Sequence, residues 1–112
     1  MATRGTIGYE TLDGGYRGVY VHYDSYESHM VPILSEMLHA QVAIMVERAI
    51  ASGGIRTIDT DGNYELFDDG GTGDPNTDWP SCPEEYAYRK LLDGRLEVIN
   101  HGGEVSVVGE VQ

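Results

Sequence analysis

Positive charge is scarce in this sequence. Seven Lys and Arg residues stand against 19 Asp and Glu residues in a chain of 112 residues, which gives a formal net charge of -12 at pH 7. Duplex nucleic acid and anionic membranes are bound mainly through Lys and Arg, so the composition predicts no direct nucleic-acid binding and no membrane binding. The excess of acid is compatible with solubility alone, and also with a partner that presents a basic surface.

Cysteine and long apolar stretches are also scarce. Cys82 is the one cysteine, so the chain can form no internal disulfide framework. No apolar run approaches the roughly 20 residues of a membrane helix. Residues 1–8 carry one charge and lack the apolar stretch of a secretory signal. We therefore expect a cytoplasmic protein.

The rest of the composition is that of a folded protein. Hydrophobic residues make up 40% of the chain, which is enough for a modest core in spite of the net charge. The sequence contains no internal repeat, and its length suits one folding unit. We predict a single domain over residues 1–112.

The acidic residues are concentrated in one segment. Between Asp59 and Glu85 there are nine Asp and Glu residues and no Lys or Arg, so this segment presents a concentrated negative field. Residues 68–83 contain three glycines and three prolines, and we expect a long loop there that is functional or mobile. The predicted partner-binding residues of this acidic segment are Asp59, Asp61, Glu65, Asp68, Asp69, Asp74 and Asp78.

Apolar periodicity predicts strands towards both ends of the chain and helix between them. Alternating apolar residues indicate an N-terminal hairpin and a C-terminal meander, the latter with a two-residue turn at Asp93-Gly94. Apolar residues recur every three or four positions in residues 28–52, which predicts one long helix or two short ones. The predicted strands are residues 5–12, 16–23, 55–58, 64–67, 86–92, 95–100 and 105–111. We expect an α+β fold, with a mostly antiparallel sheet and helix packed on one face.

Two short runs have the composition of ligand-binding loops. Residues 59–65 offer several carboxylate and amide oxygens, as a calcium loop does, but the EF-hand pattern needs Gly at the sixth position, where Tyr64 stands. Residues 70–73 are rich in glycine but lack the Lys of a phosphate-binding loop and lie among carboxylates. We predict an ordinary turn and an ordinary loop, with no metal ion and no cofactor.

Catalytic candidates are few. His22, Asp24 and His29 are close together in sequence and could in principle bind zinc or transfer protons, but no fourth ligand stands at a suitable spacing. Cys82 lies in the acidic segment, where negative surroundings make a thiol less reactive. We therefore predict no catalytic residue, and a protein that is not an enzyme.

Tyrosines cluster where the second strand approaches the helix. Tyr16, Tyr20, Tyr23 and Tyr26 fall within eleven residues, together with His22. Tyrosine is favoured at recognition surfaces because it offers a large contact area at little entropic cost, although alternate members of such a cluster also suit a core. The predicted partner- or ligand-binding residues of this aromatic block are His22, Tyr23, Asp24 and Tyr26.

The N-terminal residues resemble those of a known group of proteins. Residues 1–7 (Met-Ala-Thr-Arg-Gly-Thr-Ile) and 20–26 (Tyr-Val-His-Tyr-Asp-Ser-Tyr) are similar to small accessory proteins of tailed bacteriophages, which carry Met-Ala/Gly-Thr-Arg-x-x-Ile and Tyr-x-His-Trp-Asp-Gly-Tyr. Tyr23 replaces the usual Trp and Ser25 the usual Gly. The resemblance implies a phage origin, action in the host cytoplasm and no defined activity. It carries over Arg4, His22, Asp24 and Tyr26 as structural or binding positions.

These features lead to two hypotheses of different classes. In the first, a phage accessory protein sets its acidic surface against the basic, nucleic-acid-binding surface of a host protein and inhibits it, in host takeover or anti-defence. In the alternative, an oligomeric small-ligand binder sequesters a nucleotide immune signal by stacking the aromatic block on its bases and using Arg4 on its phosphate. An enzyme that uses His22 and Asp24 ranks behind both.

Overall fold

The structure is a computed structural model that describes residues 3–67, 75, 77, 79 and 86–110. In these residues the chain forms a seven-stranded sheet and two helices, which confirms an α+β fold. The elements in chain order are β1 (Gly5–Glu10), β2 (Tyr16–Val21), α1 (Glu27–Glu36), α2 (His39–Ser52), β3 (Ile55–Ile58), β4 (Tyr64–Leu66), β5 (Tyr86–Lys90), β6 (Leu96–Ile99) and β7 (Val105–Val108).

The sheet is mixed, with the strand order β4-β3-β2-β1-β5-β6-β7. The N-terminal hairpin β1–β2, the meander β5–β6–β7 and the pair β3–β4 are antiparallel. The pairs β1–β5 and β2–β3 are parallel, so the sheet is mostly but not strictly antiparallel. The second parallel pair follows from the helices, because a helical crossover returns the chain in the same direction beside the strand that it left.

The helical region consists of two short helices. The chain is extended at Met37 and Leu38, and α1 and α2 are bent by 117° at this break. The predicted packing of the helices on the sheet is wrong in its arrangement. Helix α2 contacts β1 and β2, whereas α1 contacts β6 at a different part of the sheet. Neither described helix has, by itself, the length and apolar composition to cross a membrane; only the bent pair taken together passes on those two criteria.

The four hairpins in the described part of the chain share one turn design. Each has a three-residue loop that ends in a glycine with positive φ, the conformation that places glycine at the bulge of such a turn. The turn predicted as the two residues Asp93-Gly94 is therefore longer: Leu91 donates its N–H to the carbonyl of Arg95, and three residues lie between them. The glycines at this position are Gly14, Gly62, Gly94 and Gly103.

The core lies on the sheet face that carries Ile7, Val19, Tyr88 and Val98, which are neighbours across β2, β1, β5 and β6. We call this the inner face. All four side chains are at most 2% exposed, and they pack with apolar side chains of both helices. We call the opposite face the outer face; it carries the intervening residues of each strand, whose side chains point the other way.

Two glycines on the outer face make room for a buried tyrosine. Gly8 and Gly18 are paired across β1 and β2, and the Tyr16 ring lies over both of them. A Cβ atom at Gly8 would lie 2.3 Å from that ring and 2.3 Å from the carbonyl oxygen of Arg17. Tyr16 is 3% exposed as a result, so a side chain that looks like a surface aromatic in the sequence is part of the interior.

We expect Gly8→Ala to destabilise the protein. The added methyl group meets backbone that cannot move aside easily, and overpacking of this kind costs roughly 1–3 kcal/mol. Gly102→Ala is the matched control, because a Cβ atom there meets only the side-chain oxygen of Asn100 at 3.5 Å. Urea unfolding measures both variants. Equal stability of Gly8→Ala and Gly102→Ala would contradict this packing.

Candidate functional site

Three side chains hold α1 against the sheet through polar contacts. The Tyr88 hydroxyl donates a hydrogen bond of 2.5 Å to the carbonyl of Ser25, just before α1 begins. The Lys90 ammonium donates to the carbonyls of Leu34 at 3.0 Å and Ser35 at 3.4 Å, in the last turn. His29 Nε2 lies 2.6 Å from the carbonyl oxygen of Ile58 at the end of β3. These contacts hold both ends of a short helix, because Ser25 and His29 lie at its start and Leu34 and Ser35 lie in its last turn.

The buried position of Lys90 has an electrostatic consequence. Its side chain is 1% exposed, and burial lowers the pKa of its amine because the charged form loses its hydration. Glu36 opposes this shift from the end of α1. The cation also faces the negative end of the helix dipole, so the carbonyls of the last turn partly replace the lost water.

A groove of about 580 Å³ lies between α1 and the β3–β4 turn. The helix contributes one wall, and the turn that Gly62 closes contributes the other. His29 belongs to both, since it projects from α1 and contacts the end of β3. The polar residues that line the groove are Ser28, His29, Ser35, Glu36, Gln41, Thr60 and Asp61.

The charge of this groove is negative. Glu36 and Asp61 line it, and no Lys or Arg does. Both residues are exposed, and within the described part of the chain neither carboxylate takes part in a hydrogen bond or an ion pair. They are therefore available to a cation that enters from outside. We call Glu36, Asp61 and the groove that they line the acidic groove.

The described cations offset the charge of this groove only in part, because Lys90 acts on Glu36 from the interior and most of the others are engaged elsewhere. Four arginines form ion pairs with acidic residues elsewhere, and Lys90 is buried against helix carbonyls. The Arg17 pair also includes the Tyr9 hydroxyl, which donates to Glu47 at 2.7 Å, and together these contacts lower the pKa of Glu47. The four pairs are Arg17–Glu47, Arg56–Glu65, Arg89–Glu97 and Arg95–Asp93.

The residues predicted for the acidic segment have different roles where they are described. Asp61 lines the acidic groove, as above. Asp59 Oδ1 instead accepts the N–H groups of Asp61 and Asn63, so this carboxylate stabilises the β3–β4 turn. Glu65 lies 3.6 Å from Arg56 in an exposed ion pair. The predicted sites Asp68, Asp69, Asp74 and Asp78 lie outside the described residues, as does Cys82.

Trp79 attaches the acidic segment to the outer face of the sheet. Its ring centroid is 4.9 Å from that of Tyr16, and the guanidinium carbon of Arg89 is 4.9 Å from the Trp79 ring centroid. Arg89 is itself held by Glu97. The loop predicted at residues 68–83, of which residues 75, 77 and 79 are described, therefore packs against the domain at this position. Trp79 is the one tryptophan of the chain, so its fluorescence reports on this contact.

The aromatic block is divided between two places. His22 accepts or donates a hydrogen bond of 2.7 Å with the Tyr20 hydroxyl, and its ring lies near those of Tyr23 and Phe67. We call Tyr20, His22, Tyr23 and Phe67 the aromatic edge; Arg56 lies 4.9 Å from the Phe67 ring centroid.

The other two members of the predicted block lie nearer α1. Tyr26 is 38% exposed and contacts His29, at 5.7 Å between ring centroids, and this places it beside the acidic groove. Asp24 has a φ of 59°, a left-handed conformation that Asp tolerates better than most residues. No three His, Cys, Asp or Glu side chains of the described residues come together as a metal site.

A second groove lies at the β1–β2 hairpin, but its polar groups are occupied. Glu10 accepts the N–H of Leu92 through its side chain, and its carbonyl contacts His39 at 2.8 Å. Tyr9 and Arg17 are bound to Glu47.

Comparisons with family models, with curated proteins and with solved structures find no match for the chain. The residues of the acidic groove themselves therefore indicate what it can bind.

Glu36, Tyr88 and Lys90 were not predicted as functional residues. Glu36 lies far from the acidic segment in sequence, and only the fold brings it opposite Asp61. A signal was present for the other two, because Tyr86, Tyr88 and Lys90 alternate along one strand and alternation places them on the same face. A lysine in such a register indicates a buried cation with a partner.

We expect Lys90 to make stability depend on pH in the alkaline range. Its pKa is lowered in the folded state, so between that pKa and the ordinary value of 10.5 the unfolded chain binds more protons. The wild type should therefore gain stability relative to Lys90→Met as the pH rises through the alkaline range towards 10.5. Urea unfolding of both proteins along this range measures the difference. Parallel curves would contradict a buried ammonium.

Proposed function

We propose that the protein is a non-enzymatic binding protein, and that its acidic groove receives Lys or Arg side chains from the surface of a partner protein. The observation that carries this proposal is the pair Glu36 and Asp61, which face a groove lined by no cation and have no bond partner of their own among the described residues. A carboxylate pair in a concave site suits a guanidinium or an ammonium group.

The electrostatics of the whole chain support the same partner. A net charge of -12 speeds association with a basic surface and disfavours anionic ligands. Basic surfaces of this kind are often nucleic-acid-binding sites, so occupation by the acidic groove and the acidic segment would block such a site. From the resemblance to phage accessory proteins, we further propose that the partner is a host protein and that binding inhibits it, in host takeover or anti-defence. We also propose that the protein acts in the host cytoplasm.

The test begins with capture of host proteins and continues with the purified partner. The protein is immobilised, partners are captured from bacterial lysate at low and high salt, and the captured protein is purified for titration. We expect Glu36→Gln/Asp61→Asn to weaken binding about tenfold or more, equivalent to about 1.4 kcal/mol, and the wild-type affinity to fall steeply with salt.

A matched control removes the same charge from another part of the molecule. Glu10→Gln/Asp13→Asn changes two carboxylates at the β1–β2 hairpin, where the amide side chains can still accept the N–H groups of Leu92 and Gly15, and this variant should bind the partner as the wild type does. A further variant with Asn at Asp68, Asp69, Asp74 and Asp78 measures the contribution of the acidic segment. Binding that is independent of salt and unaffected by the groove variant would overturn the proposal.

A second candidate function rests on the aromatic edge. Its rings and the guanidinium of Arg56 offer stacking surfaces and a cation at one end of β2 and β3, which suits a nucleotide bound by a small oligomer. We expect a cyclic nucleotide to raise the melting temperature, because a ligand bound only to the folded state adds about 2.7 kcal/mol at 100 times its Kd.

Tyr23→Ala is the variant that tests this candidate. Tyr23 is 42% exposed, so its removal should abolish the thermal shift with little loss of stability in the free protein. The measurement is differential scanning fluorimetry across a panel of linear and cyclic nucleotides. The absence of any shift in the wild type would eliminate this function.

A further inference from the structure

We propose that the edge strand β7 binds an extended peptide with basic ends by strand addition, so that the peptide becomes an eighth strand of the sheet. Within the described residues no strand lies beyond β7 in the sheet order. This surface is separate from the acidic groove, since β3 and β4 lie at the other end of the same sheet. It therefore represents a second interaction site, which stands or falls independently of the proposed function.

The hydrogen-bond pattern shows which backbone groups of β7 face outwards. Asn100 donates its N–H to the carbonyl of Glu104 at 3.0 Å, which makes this a hydrogen-bonded pair. Such pairs alternate with non-bonded pairs along an antiparallel ladder. The register then makes Ile99↔Val105 and Glu97↔Val107 non-bonded pairs, and Val98↔Ser106 a bonded pair.

The β5–β6 pair gives the same answer independently. Leu91 donates its N–H to the carbonyl of Arg95, so the bonded pairs of that ladder fall on Glu97 and Ile99, whose backbone groups face β5. Those groups cannot also bond to β7. The N–H and C=O groups of Val105 and Val107 therefore point away from β6, towards the place that an added strand would take.

The side chains of the same two residues are also available. Val105 is 50% and Val107 46% exposed, and both project from the outer face beside Ile99 and Glu97, their register neighbours. Natural edge strands are commonly protected by Lys, Pro or a bulge. The four residues of β7, Val-Ser-Val-Val, contain no Lys or Pro, and their register with β6 is continuous. Among the residues that the structure describes, nothing therefore pairs with the outward backbone groups or covers the outer side chains of this edge.

The negative charge around β7 favours a basic partner. Glu104 and Glu110 stand at the two ends of β7 and are exposed, and β7 itself carries no charge. A second copy of the chain would bring another net charge of -12 to this edge, which opposes self-association. A strand with β-branched residues in its centre and Lys or Arg at its ends complements both features.

The probe is an acetylated and amidated peptide, Lys-Thr-Val-Thr-Val-Thr-Lys, titrated into ¹⁵N-labelled protein. We expect the amide protons of Val105 and Val107 to become protected from exchange at least tenfold, while those of Ser106 and Val108, already bonded to β6, change little. A peptide with Glu in place of both Lys residues should not bind. Protection that appears first on α1, or that disappears in Glu36→Gln/Asp61→Asn, would place the peptide in the acidic groove and overturn the proposal.

Backbone methylation of the probe tests the geometry without altering the protein. Valines opposite Val105 and Val107 share the outer face, so their N–H groups point at β7 and those of the threonines point away. The N-methyl-Val peptide should not bind, whereas the N-methyl-Thr peptide should keep most of its affinity. Equal binding of the two peptides would contradict strand addition.

Variants of β7 complete the test. Val107→Pro removes one outward N–H, and proline is tolerated at sheet edges; it should lose the probe. Val107→Thr keeps the N–H and should retain it. Sedimentation of the wild type without peptide tests whether a second copy of the chain occupies the edge instead. A concentration-dependent dimer in which the amides of Val105 and Val107 are protected would overturn the choice of a basic partner.

Discussion

The structure depends on the way the sheet holds α1. This helix is short, contains a proline and ends in an abrupt bend, so its own propensity does little to stabilise it. Buried donors on β5 bond the carbonyls at its two ends, and His29 joins its first turn to β3. Burial also raises the pKa of Tyr88, which keeps its hydroxyl protonated as a donor. One wall of the acidic groove is therefore formed before any partner arrives.

The distribution of charge follows from the same arrangement. Arginines are engaged by acids on neighbouring strands and on α2, and the single buried lysine faces α1 from inside. The carboxylates of Glu36 and Asp61 line the groove, where Glu36 interacts with the buried Lys90 through charge but forms no ion pair within the described residues. A preformed, negative concavity binds a cationic side chain with little loss of entropy, because neither wall has to be ordered on binding. This is the physical basis on which we propose a binding function.

Much of the fold was predictable from local patterns, and the rest was not. Alternation located the strands to within a few residues, and glycine located the turns. The sequence left open one long helix or two short ones, and the break at Met37 and Leu38 could not be located because both residues continue the apolar period of a helix. The parallel pairs β1–β5 and β2–β3 join segments distant in sequence, which no local pattern records. Of the two groove carboxylates, Asp61 was predicted because it belongs to an acidic run. Glu36 was not predicted, because only the tertiary fold brings it to the same groove.

The central claim is that β5 holds α1 in position, and amide hydrogen exchange tests it most directly. Tyr88→Phe removes the donor to the Ser25 carbonyl and preserves the ring in the core. A buried carbonyl that loses its donor costs about 1–3 kcal/mol, so the α1 amides of the variant should exchange roughly tenfold faster or more, with α2 little changed. Unaltered exchange in α1, or an equal increase in both helices, would contradict the account.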